Sequence, residues 1–397
     1  MVKQSPRGGQ HEIETQVAAV TDESLTEARK LIGLWLRRHG KALTVTKDCI
    51  RQYAYQMGDD NPLFCNEEYA KQTRWGRIIA PPTILLLVDD TIIAPGLRGI
   101  QWVFSGMELE WFVPIRPDDR LTTKARMYDA IEHRGKRVPR MIEQIGEVFY
   151  YNQNNQLVAR ALGKTMRTPR AKAASGGMHY KPRMQKWSEE ELKRLDNLYE
   201  EETKARRGGM PRYWEDVQIG EALPTLHKGP LRRSEIAIPG RIISGEGQTT
   251  ASQGAHVYQV LHRRDHPADA YFDPQTGIQD HPHRGHWEAF MAREVGMPGV
   301  YDLGVQRIPW LAHLMTNWIG DAGFLKKLKG NLRRPNVVGD VTWLKGKVSN
   351  KYIENGEYLM ECDIWGENQL GEKTMPGWAL VSLPSKKGSK LRKRNAQ

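Results

Sequence analysis

Cysteines are scarce in this sequence, and long apolar runs are absent. Three cysteines occur in 397 residues, and they are odd in number and far apart: Cys49, Cys65 and Cys362. This argues against a disulfide framework and favours a reducing, cytoplasmic location. No run of about 18 apolar residues occurs, so no membrane span is expected. The first residues, MVKQSPRGGQHEIE, lack the apolar core of a secretory signal.

Negative charge is also in deficit. The 59 Lys and Arg residues exceed the 47 Asp and Glu residues, which gives a formal net charge of +12. Much of the excess lies in KKGSKLRKR, and because this stretch has no apolar periodicity we expect residues 386–397 to form a basic, disordered tail. The other basic residues are scattered and form no recognisable nucleic-acid-binding module. We therefore expect no nucleic-acid partner, although a ligand with several phosphates would suit a basic surface.

The chain contains two similar segments. Its length already favours two domains, each of under about 200 residues. The segment NPLFCNEEYAKQTRWGRIIAPP (61–82) aligns with HRGHWEAFMAREVGMPGVYDLG (283–304) at an offset of 222 positions, which places Phe64 on His286.

A second pair of segments keeps almost the same register. VPIRPDDRLT (113–122) aligns with RPNVVGDVTW (334–343), which places Asp119 on Asp340 at an offset of 221. Each copy then ends in a strand, a polar turn and a second strand. Segments roughly fifty residues apart rarely keep register by chance, so we predict two copies of one domain.

A helical segment separates the two copies. In KWSEEELKRLDNLYEEETKARRGG, Ser188 followed by Glu191 is typical of a capping box at the start of a helix. We predict a helical linker over residues 171–210. The first copy then spans residues 20–170 and the second spans residues 211–385.

Each copy contains a short helix, a more apolar helix and several strands bounded by Gly, Pro and Asn. One helix followed by consecutive hairpins predicts an antiparallel sheet with helices on one side, an α+β architecture. In the first copy, Pro81 and Pro82 mark the start of the apolar helix. In the second copy, apolar residues at three- and four-residue steps predict a helical stripe against the sheet: Val305, Ile308, Leu311, Leu314, Met315 and Trp318.

The segment GDDNPLFCNEEYAKQTRWGRIIAPPT in the first copy resembles the MaoC-like dehydratases, in particular the FAS1-like dehydratase N-terminal domain. That family has an Asp-x-Asn-Pro-x-His loop before a short helix, and the later PIRPDDRL is similar to its Pro-x-x-x-Gly-Asp strand. The resemblance implies a hot-dog fold, in which an antiparallel sheet wraps a central helix. Because both copies carry it, the chain resembles the two-domain (R)-specific enoyl-CoA hydratases, and we expect a double hot-dog.

The resemblance also implies an activity, the reversible addition of water to a 2-enoyl-CoA thioester by an enoyl-CoA hydratase or 3-hydroxyacyl-CoA dehydratase. A carboxylate and an imidazole make the proton transfers, each worth about 10²–10⁴-fold in rate. A backbone N–H at the start of the central helix stabilises negative charge on the thioester oxygen. The CoA thioester is the substrate, and no metal or redox cofactor is needed. The two-domain form implies a bulky acyl group, as in fatty acid or steroid catabolism.

The first copy keeps two of the three loop residues. Asp59 matches the family's Asp and Asn61 its Asn, but Phe64 occupies the His position and cannot transfer protons. Asp59 is therefore either a retained catalytic carboxylate or part of a turn that precedes a helix. Asn61 is a candidate substrate-binding residue.

The second copy keeps the imidazole but not the carboxylate. His286 matches the family's His, and Gly304 matches the glycine whose N–H holds the thioester oxygen. His281 occupies the Asp position and His283 the Asn position. We expect His286 to be the acid/base group, with His281 or Asp280 in place of the carboxylate. His283 either binds substrate or only bonds the backbone of a polar loop.

Two-domain members divide the work between a catalytic half and a half that admits the acyl chain. We expect the second half to be catalytic and the first to be acyl-binding. Arg333 and Arg334 either contact CoA phosphates or are solvated strand ends. The departures at Phe64 and His281 support one alternative, a non-catalytic acyl-CoA-binding subunit that completes a site with a partner. Both a homodimer and a heteromer with a related hot-dog subunit are compatible with this sequence.

A metal centre is a lesser alternative. His281-x-His283, Glu288, His313 and Asn317 resemble the ligand spacing of a cupin, whose ligands suit iron or manganese. Cupin ligands lie on strands, whereas His313 lies on the predicted apolar helix. A cupin barrel also leaves no place for the internal repeat, so we expect no metal.

Overall fold

A computed structural model describes most of the chain. The described residues are 20–36, 42–97, 100–135, 140–169, 184–236, 271–272, 277, 279–280, 282–294 and 296–387. His281 lies outside them, as do residues 388–397 of the predicted basic tail. Lys386, the first residue of that predicted tail, forms an ion pair with Asp216 and belongs to the folded part of the chain.

Short helices precede four long strands in the first half. The helix starts are set by side-chain caps, as at Thr46, whose hydroxyl accepts from the backbone N–H of Cys49. In chain order the elements are α1 (Asp22–Lys30), β1 (Trp35–Leu36), β2 (Leu43–Thr44), α2 (Lys47–Gln56), a 3₁₀ helix (Pro62–Phe64), α3 (Glu67–Lys71), a second 3₁₀ helix (Pro82–Leu87), β3 (Ile100–Trp111), β4 (Arg120–His133), β5 (Met141–Tyr151) and β6 (Leu157–Pro169).

The predicted helix between the copies is present as α4 (Glu189–Ala205). The capping box is confirmed: the Ser188 hydroxyl accepts from the N–H of Glu191 at 3.2 Å, and the Glu191 carboxylate accepts from the N–H of Ser188 at 2.8 Å. Toward its other end, the Tyr199 hydroxyl donates to the carbonyl of Gly229 in the second half. This helix is therefore docked on the second half.

The second half repeats the order of the first with a longer central helix. Its elements are a 3₁₀ helix (Trp214–Asp216), β7 (Leu226–Lys228), β8 (Tyr271–Phe272), β9 (Gln279–Asp280), a 3₁₀ helix (Pro282–His286), α5 (Ala289–Glu294), a 3₁₀ helix (Gly304–Gln306), α6 (Arg307–Ile319), β10 (Phe324–Asn331), β11 (Thr342–Glu354), β12 (Glu357–Asn368) and β13 (Lys373–Ser382).

The apolar stripe predicted for α6 is buried, but the helix is buried on nearly every side. Eleven of its thirteen residues are buried, among them the polar residues Arg307 and His313. A helix apolar on one stripe normally keeps a polar face toward water, whereas one buried all round lies in the core. Helix α6 is thus the central helix of the second half, and its polar residues need buried partners.

All of these strands except β8 and β9, which pair with each other, form one antiparallel sheet that runs through both halves. Among the described residues it has eleven strands in the order β1-β4-β5-β6-β3-β10-β13-β12-β11-β7, with β2 also paired to β4. The halves join where β3 pairs with β10, in the register of Leu109 opposite Leu328. The order β4-β5-β6-β3 mirrors β11-β12-β13-β10 about this junction. The expected α+β double hot-dog is confirmed.

Matching hydrogen bonds confirm the internal repeat. The Asp119 carboxylate accepts from the N–H of Arg116 at 2.8 Å, and the Asp340 carboxylate accepts from the N–H of Val337 at 2.9 Å. In the closing hairpins the side-chain oxygens of Asn152 and Asn368 play the same part, because each accepts from the N–H groups two and four residues later. The two copies therefore share turn geometry as well as strand order.

The central helix of the first half departs from the prediction. It is a 3₁₀ helix of six residues (Pro82–Leu87), after which the chain is irregular as far as Leu97. The side chains of Asp89 and Asp90 accept from the N–H groups of Thr91 and Ile92, and such turns compete with helical bonds. The buried guanidinium of Arg167 fixes the segment 88–97 by donating to three of its carbonyls: Ala94, Gly96 and Leu97.

Candidate active site

His286 ends the 3₁₀ helix Pro282–His286 and is oriented by the chain that leads to α6. Its Nδ1 lies 3.0 Å from the carbonyl oxygen of Tyr301, and its ring lies against the Tyr301 ring with 4.2 Å between centroids. A carbonyl can only accept, so Nδ1 carries the proton in this bond. The neutral imidazole then has its lone pair on Nε2, which is the form that can take a proton.

Gly304 begins the 3₁₀ helix that runs directly into α6. A Cβ at this position would lie 2.5 Å from Leu332 Cδ2 and 2.9 Å from Phe104 Cδ1, so both side chains would have to shift to admit any other residue. Phe104 belongs to β3 of the first half, and the turn therefore lies where the halves meet. The first N–H groups of a helix have no intrahelical partner and carry partial positive charge.

A buried ion pair closes the turn that contains Gly304. The guanidinium of Arg307 donates to both carboxylate oxygens of Asp302, at 2.5 and 2.6 Å, and the two side chains are 2% and 1% exposed. Arg307 also donates to the carbonyl of Arg334 at 2.7 Å. The turn is thus tied to the loop before β11.

Asp59 lies in a second buried polar group, between the halves. Its carboxylate accepts from the N–H of Asn61 at 3.2 Å and lies 3.6 Å from Nε2 of His313 on α6. The ammonium group of Lys228 donates to His313 Nδ1 at 2.9 Å and to the carbonyl of Met57 at 2.8 Å. His313 therefore bridges an ammonium group and a carboxylate.

Burial dominates the ionisation of this group. It raises the pKa of Asp59 to about 6 and lowers the pKa of Lys228 to about 8. The pKa of His313 falls well below its usual range, first through burial and then through the nearby Lys228 ammonium. The imidazole is accordingly neutral and accepts from Lys228 at Nδ1, while its Nε2 lies 3.2 Å from the side-chain nitrogen of Asn317 and 3.6 Å from the Asp59 carboxylate.

Asn61 bonds across the halves. Its amide group donates to Asp321 at 3.1 Å, and its side-chain oxygen accepts from the N–H of Leu63. Asp321, which follows α6, also accepts from the Tyr69 hydroxyl at 2.6 Å. The role of Asn61 in substrate binding stays a prediction, and the contacts that Asn61 makes in the structure are structural.

Phe64 is buried in an aromatic-lined cavity at the position that an imidazole occupies in the second half. The cavity has a volume of about 50 Å³ and lies between the halves. Both halves contribute to its walls, which include Asn61, Trp75, Trp111, Thr316, Ile319 and Phe324. The first half therefore offers an apolar ring where proton transfer would need an imidazole.

The remaining predicted residues are not all described. Asp280 lies on β9 and His283 in the 3₁₀ helix that ends at His286, but their side chains are not described, and His281 lies outside the described residues. The predicted pairing of His286 with His281 or Asp280 stays a prediction. Arg333 and Arg334 are exposed, and Arg334 lies 3.2 Å from Glu372.

The cupin-like arrangement of the metal alternative does not match this fold, and the side chains of its residues His281 and His283 are not described. The sheet is not a cupin barrel, Glu288 pairs with Arg284, and His313 accepts from Lys228. Within the part of the chain that the structure describes, no group of three or more His, Cys, Asp or Glu residues could hold a metal ion. In that same part, no helix is long and apolar enough to cross a membrane.

Sequence reasoning missed the ion pair in the Gly304 turn and the partners of Asp59. Lys228, Asp302 and Arg307 had not been singled out, and His313 had been considered only as a metal ligand. The available signal was a charged or polar residue inside an apolar helix, at Arg307 and His313. Such a residue must be paired when buried, but the sequence does not name its partner.

Comparisons with known proteins give a family match over part of the chain and a shared fold over most of it. Residues 30–161 match the family model described as FAS1-like, dehydratase domain region. A UPF0336 protein of Parafrankia sp. (strain EAN1pec) is 33% identical over 78 residues, which are 20% of this chain and 48% of that protein. The chain spans about half the length of the curated relatives it matches.

Two solved structures are similar over nearly the whole chain. A MaoC-like dehydratase has a TM-score of 0.61 at 14% identity and covers 90% of this chain and 99% of its own. A MaoC domain protein dehydratase from Chloroflexus aurantiacus J-10-fl has a TM-score of 0.52 at 12% identity, with 87% and 93% covered. At such identities the likeness shows a shared fold.

Proposed function

We propose that this chain, which matches the FAS1-like dehydratase domain region over residues 30–161 and shares the fold of a MaoC-like dehydratase, is a hydro-lyase acting on the acyl part of a CoA thioester. It would add water across the double bond of a 2-enoyl-CoA or remove water from a 3-hydroxyacyl-CoA. The observation that carries this proposal is the tautomer of His286, which the Tyr301 carbonyl fixes with the proton on Nδ1.

In the hydration direction, Nε2 of His286 takes a proton from water as the oxygen attacks the β-carbon. A second acid/base group delivers a proton to the α-carbon, and the thioester oxygen carries negative charge after the attack of water and before this protonation. Each positioned proton transfer is worth about 10²–10⁴-fold in rate. Dehydration runs through the same steps in reverse, so one arrangement serves both directions.

The negative charge on the thioester oxygen needs a donor. We assign this role to the N–H of Gly304, at the start of the turn into α6. A backbone N–H at a helix start is fixed before the substrate arrives and costs little reorganisation. The absence of a Cβ lets the turn approach Phe104 of the other half.

A second acid/base group completes the mechanism. We keep Asp280 and His281 as the candidates to act beside His286, because they precede it in the same loop. Asp59 is a less suitable candidate, since its carboxylate faces His313 and the N–H of Asn61. Its place in this proposal is structural.

The first half is assigned to the acyl group. Its central helix is only six residues long, and Phe64 lies in an aromatic cavity between the halves. Apolar and aromatic walls suit the acyl chain of a thioester. The exposed Arg333 and Arg334 would contact CoA phosphates.

The test is turnover of 2-enoyl-CoA thioesters of increasing acyl size, followed as the loss of ultraviolet absorbance when conjugation is removed. His286→Ala and His286→Gln should each lower kcat by about 10²–10⁴-fold, since both remove the imidazole. His133→Ala is a matched control, because His133 pairs with Glu143 on the sheet of the first half.

Two outcomes would contradict the proposal. Wild-type turnover that survives His286→Ala would remove His286 from the mechanism. Tight binding of the thioesters without turnover would favour the alternative, a non-catalytic acyl-CoA-binding subunit, which the replacement of an imidazole by Phe64 also suits.

A further inference from the structure

We propose that Asp302 and Arg307 are positioning residues, which act through Gly304 to hold its N–H in line with the thioester oxygen. This inference rests on the proposed function. Asp302 and Arg307 flank the turn Gly304–Gln306, and their bidentate ion pair connects the two ends of this turn. Neither residue need touch the substrate.

The ion pair fixes the turn to a second part of the same half. Arg307 donates to the carbonyl of Arg334, and Asp302 donates its backbone N–H to the carbonyl of Asn336 at 3.0 Å. Leu332, just before this loop, is one of the two side chains that a Cβ at position 304 would meet. The planar fork of a guanidinium bound to both oxygens allows little rotation, so the turn has few alternative conformations.

The first half serves as an internal control for this ion pair. At the offset of 222, Ala80 takes the place of Asp302 and Leu85 the place of Arg307. Ala80 still donates its N–H to the carbonyl of Ile115 at 2.8 Å, which matches the bond from Asp302 to Asn336. The backbone of this turn therefore forms without an ion pair.

Stability gives no reason to keep the pair in one half. Removing two charges from water costs about as much as their attraction returns, and apolar replacements of buried pairs are often neutral or stabilising. The first half has such an apolar pair. The half that retains an imidazole, at His286, is the one with the ionic pair, which indicates a role in the reaction site.

The decisive variant is the double substitution Asp302→Ala/Arg307→Leu, which gives the second half the residues of the first. We expect it to fold with a stability close to that of the wild type. Its kcat should fall about tenfold while KM changes by less than about threefold, because an interaction made in the transition state is weakened. Arg307→Lys keeps the positive charge but loses the two parallel hydrogen bonds of the guanidinium. Its kcat should lie between those of the wild type and the double variant.

A second readout does not depend on turnover. Butyryl-CoA labelled with ¹³C at its carbonyl cannot be hydrated, and its carbonyl stretching frequency reports the hydrogen bond that it accepts. The frequency should drop when the thioester binds the wild type, and most of this drop should be lost in the double variant. As a control, Lys326→Leu/Glu357→Ala removes an ion pair between β10 and β12 and should leave both readouts unchanged.

The outcomes separate this inference from the proposed function. Equal kcat and equal frequency shifts in wild type and double variant would overturn the positioning role alone. Failure of the double variant to fold would overturn it too, because the pair would then be structural. A normal shift without any turnover would leave the positioning role standing and remove the hydratase proposal. A wild type that binds no thioester would remove both.

Discussion

Matching loops of the two halves use their polar groups in different ways. In the first half, Asp59 faces α6 of the other half, and Phe64 is 2% exposed within an aromatic cavity. In the second half, His286 is half-buried and bonds the Tyr301 carbonyl of its own half. One loop has become part of the contact between the halves, while the other retains an imidazole.

The contact that the first loop makes is a buried polar joint. We call this group the joint; its members are Asp59, Asn61, Tyr69, Lys228, His313 and Asp321. Arg206, at the end of α4, adds a positive charge that faces Asp59 and Asp321. In the second half, by contrast, Asp302 and Arg307 pair within their own half. The joint fastens the halves, whereas the ion pair fastens a turn.

The largest effect on stability is expected from breaking the joint at Asp321. Asp321→Ala leaves the buried amide of Asn61 and the partly exposed hydroxyl of Tyr69 without their acceptor, and a buried unpaired group costs about 1–3 kcal/mol. We expect a loss of about 3 kcal/mol or more in the free energy of unfolding, measured by urea denaturation at neutral pH. Asp196→Ala, at an exposed position of α4, should change it by less than about 0.5 kcal/mol. A small effect at Asp321 would mean that the joint carries little of the contact.

Lys228 provides a test of the joint through pH. Burial lowers its pKa to about 8, below its ordinary value of 10.5, so the unfolded chain binds more protons between these values. Wild-type stability should therefore rise with pH over this window relative to Lys228→Met, by about 3 kcal/mol at most. The measurement is urea denaturation of both proteins from pH 7 to 11. Parallel curves would show that Lys228 is not desolvated.

Asp59 should give the opposite trend at acid pH. Burial raises its pKa to about 6 from 3.8, so the folded protein binds more protons between these values. As pH rises from 4 to 6, the wild type should lose stability relative to Asp59→Asn, by about 3 kcal/mol at most. The same denaturation series, extended to pH 3.5, measures this. A wild type that instead gains on the variant would place the pKa of Asp59 below its ordinary value.

The smallest effect is expected from Phe64→His, which should not restore activity in the first half. Phe64→His returns the missing imidazole, but Pro82 stands where the second half has Gly304 and has no N–H to offer the thioester oxygen. Placed in a His286→Ala background, Phe64→His should therefore leave the residual hydration rate unchanged. An increase of tenfold or more would show that the first half needs only the imidazole.

Local sequence patterns predicted the scaffold well. The repeat, the capping box at Ser188, the apolar stripe of α6 and the closing hairpins are all found where periodicity and turn residues indicated them. The first-half helix was overestimated, because TILLLV has the composition of a helix. The two aspartates that end it, Asp89 and Asp90, were the signal against a longer one.

The polar contacts could not be predicted, because their partners are far apart in the chain. Lys228 bonds a carbonyl 171 residues away and an imidazole 85 residues away, and no spacing rule connects such groups. The ion pair of Asp302 and Arg307 is local but spans five residues, outside the three- and four-residue spacing of helical pairs. The sequence could indicate only that His313 and Arg307 need partners once buried.

The pairing of β3 with β10 places both hot-dogs in one polypeptide, and this has a consequence for how such a protein can change. In a symmetric pair of identical chains, every mutation is made twice, so a substitution that improves one cleft by discarding its imidazole also disables the other. When both copies lie in one chain, each copy can be mutated without the other. Phe64 and the Ala80–Leu85 pair could arise on one side while His286 and the Asp302–Arg307 pair were inherited on the other.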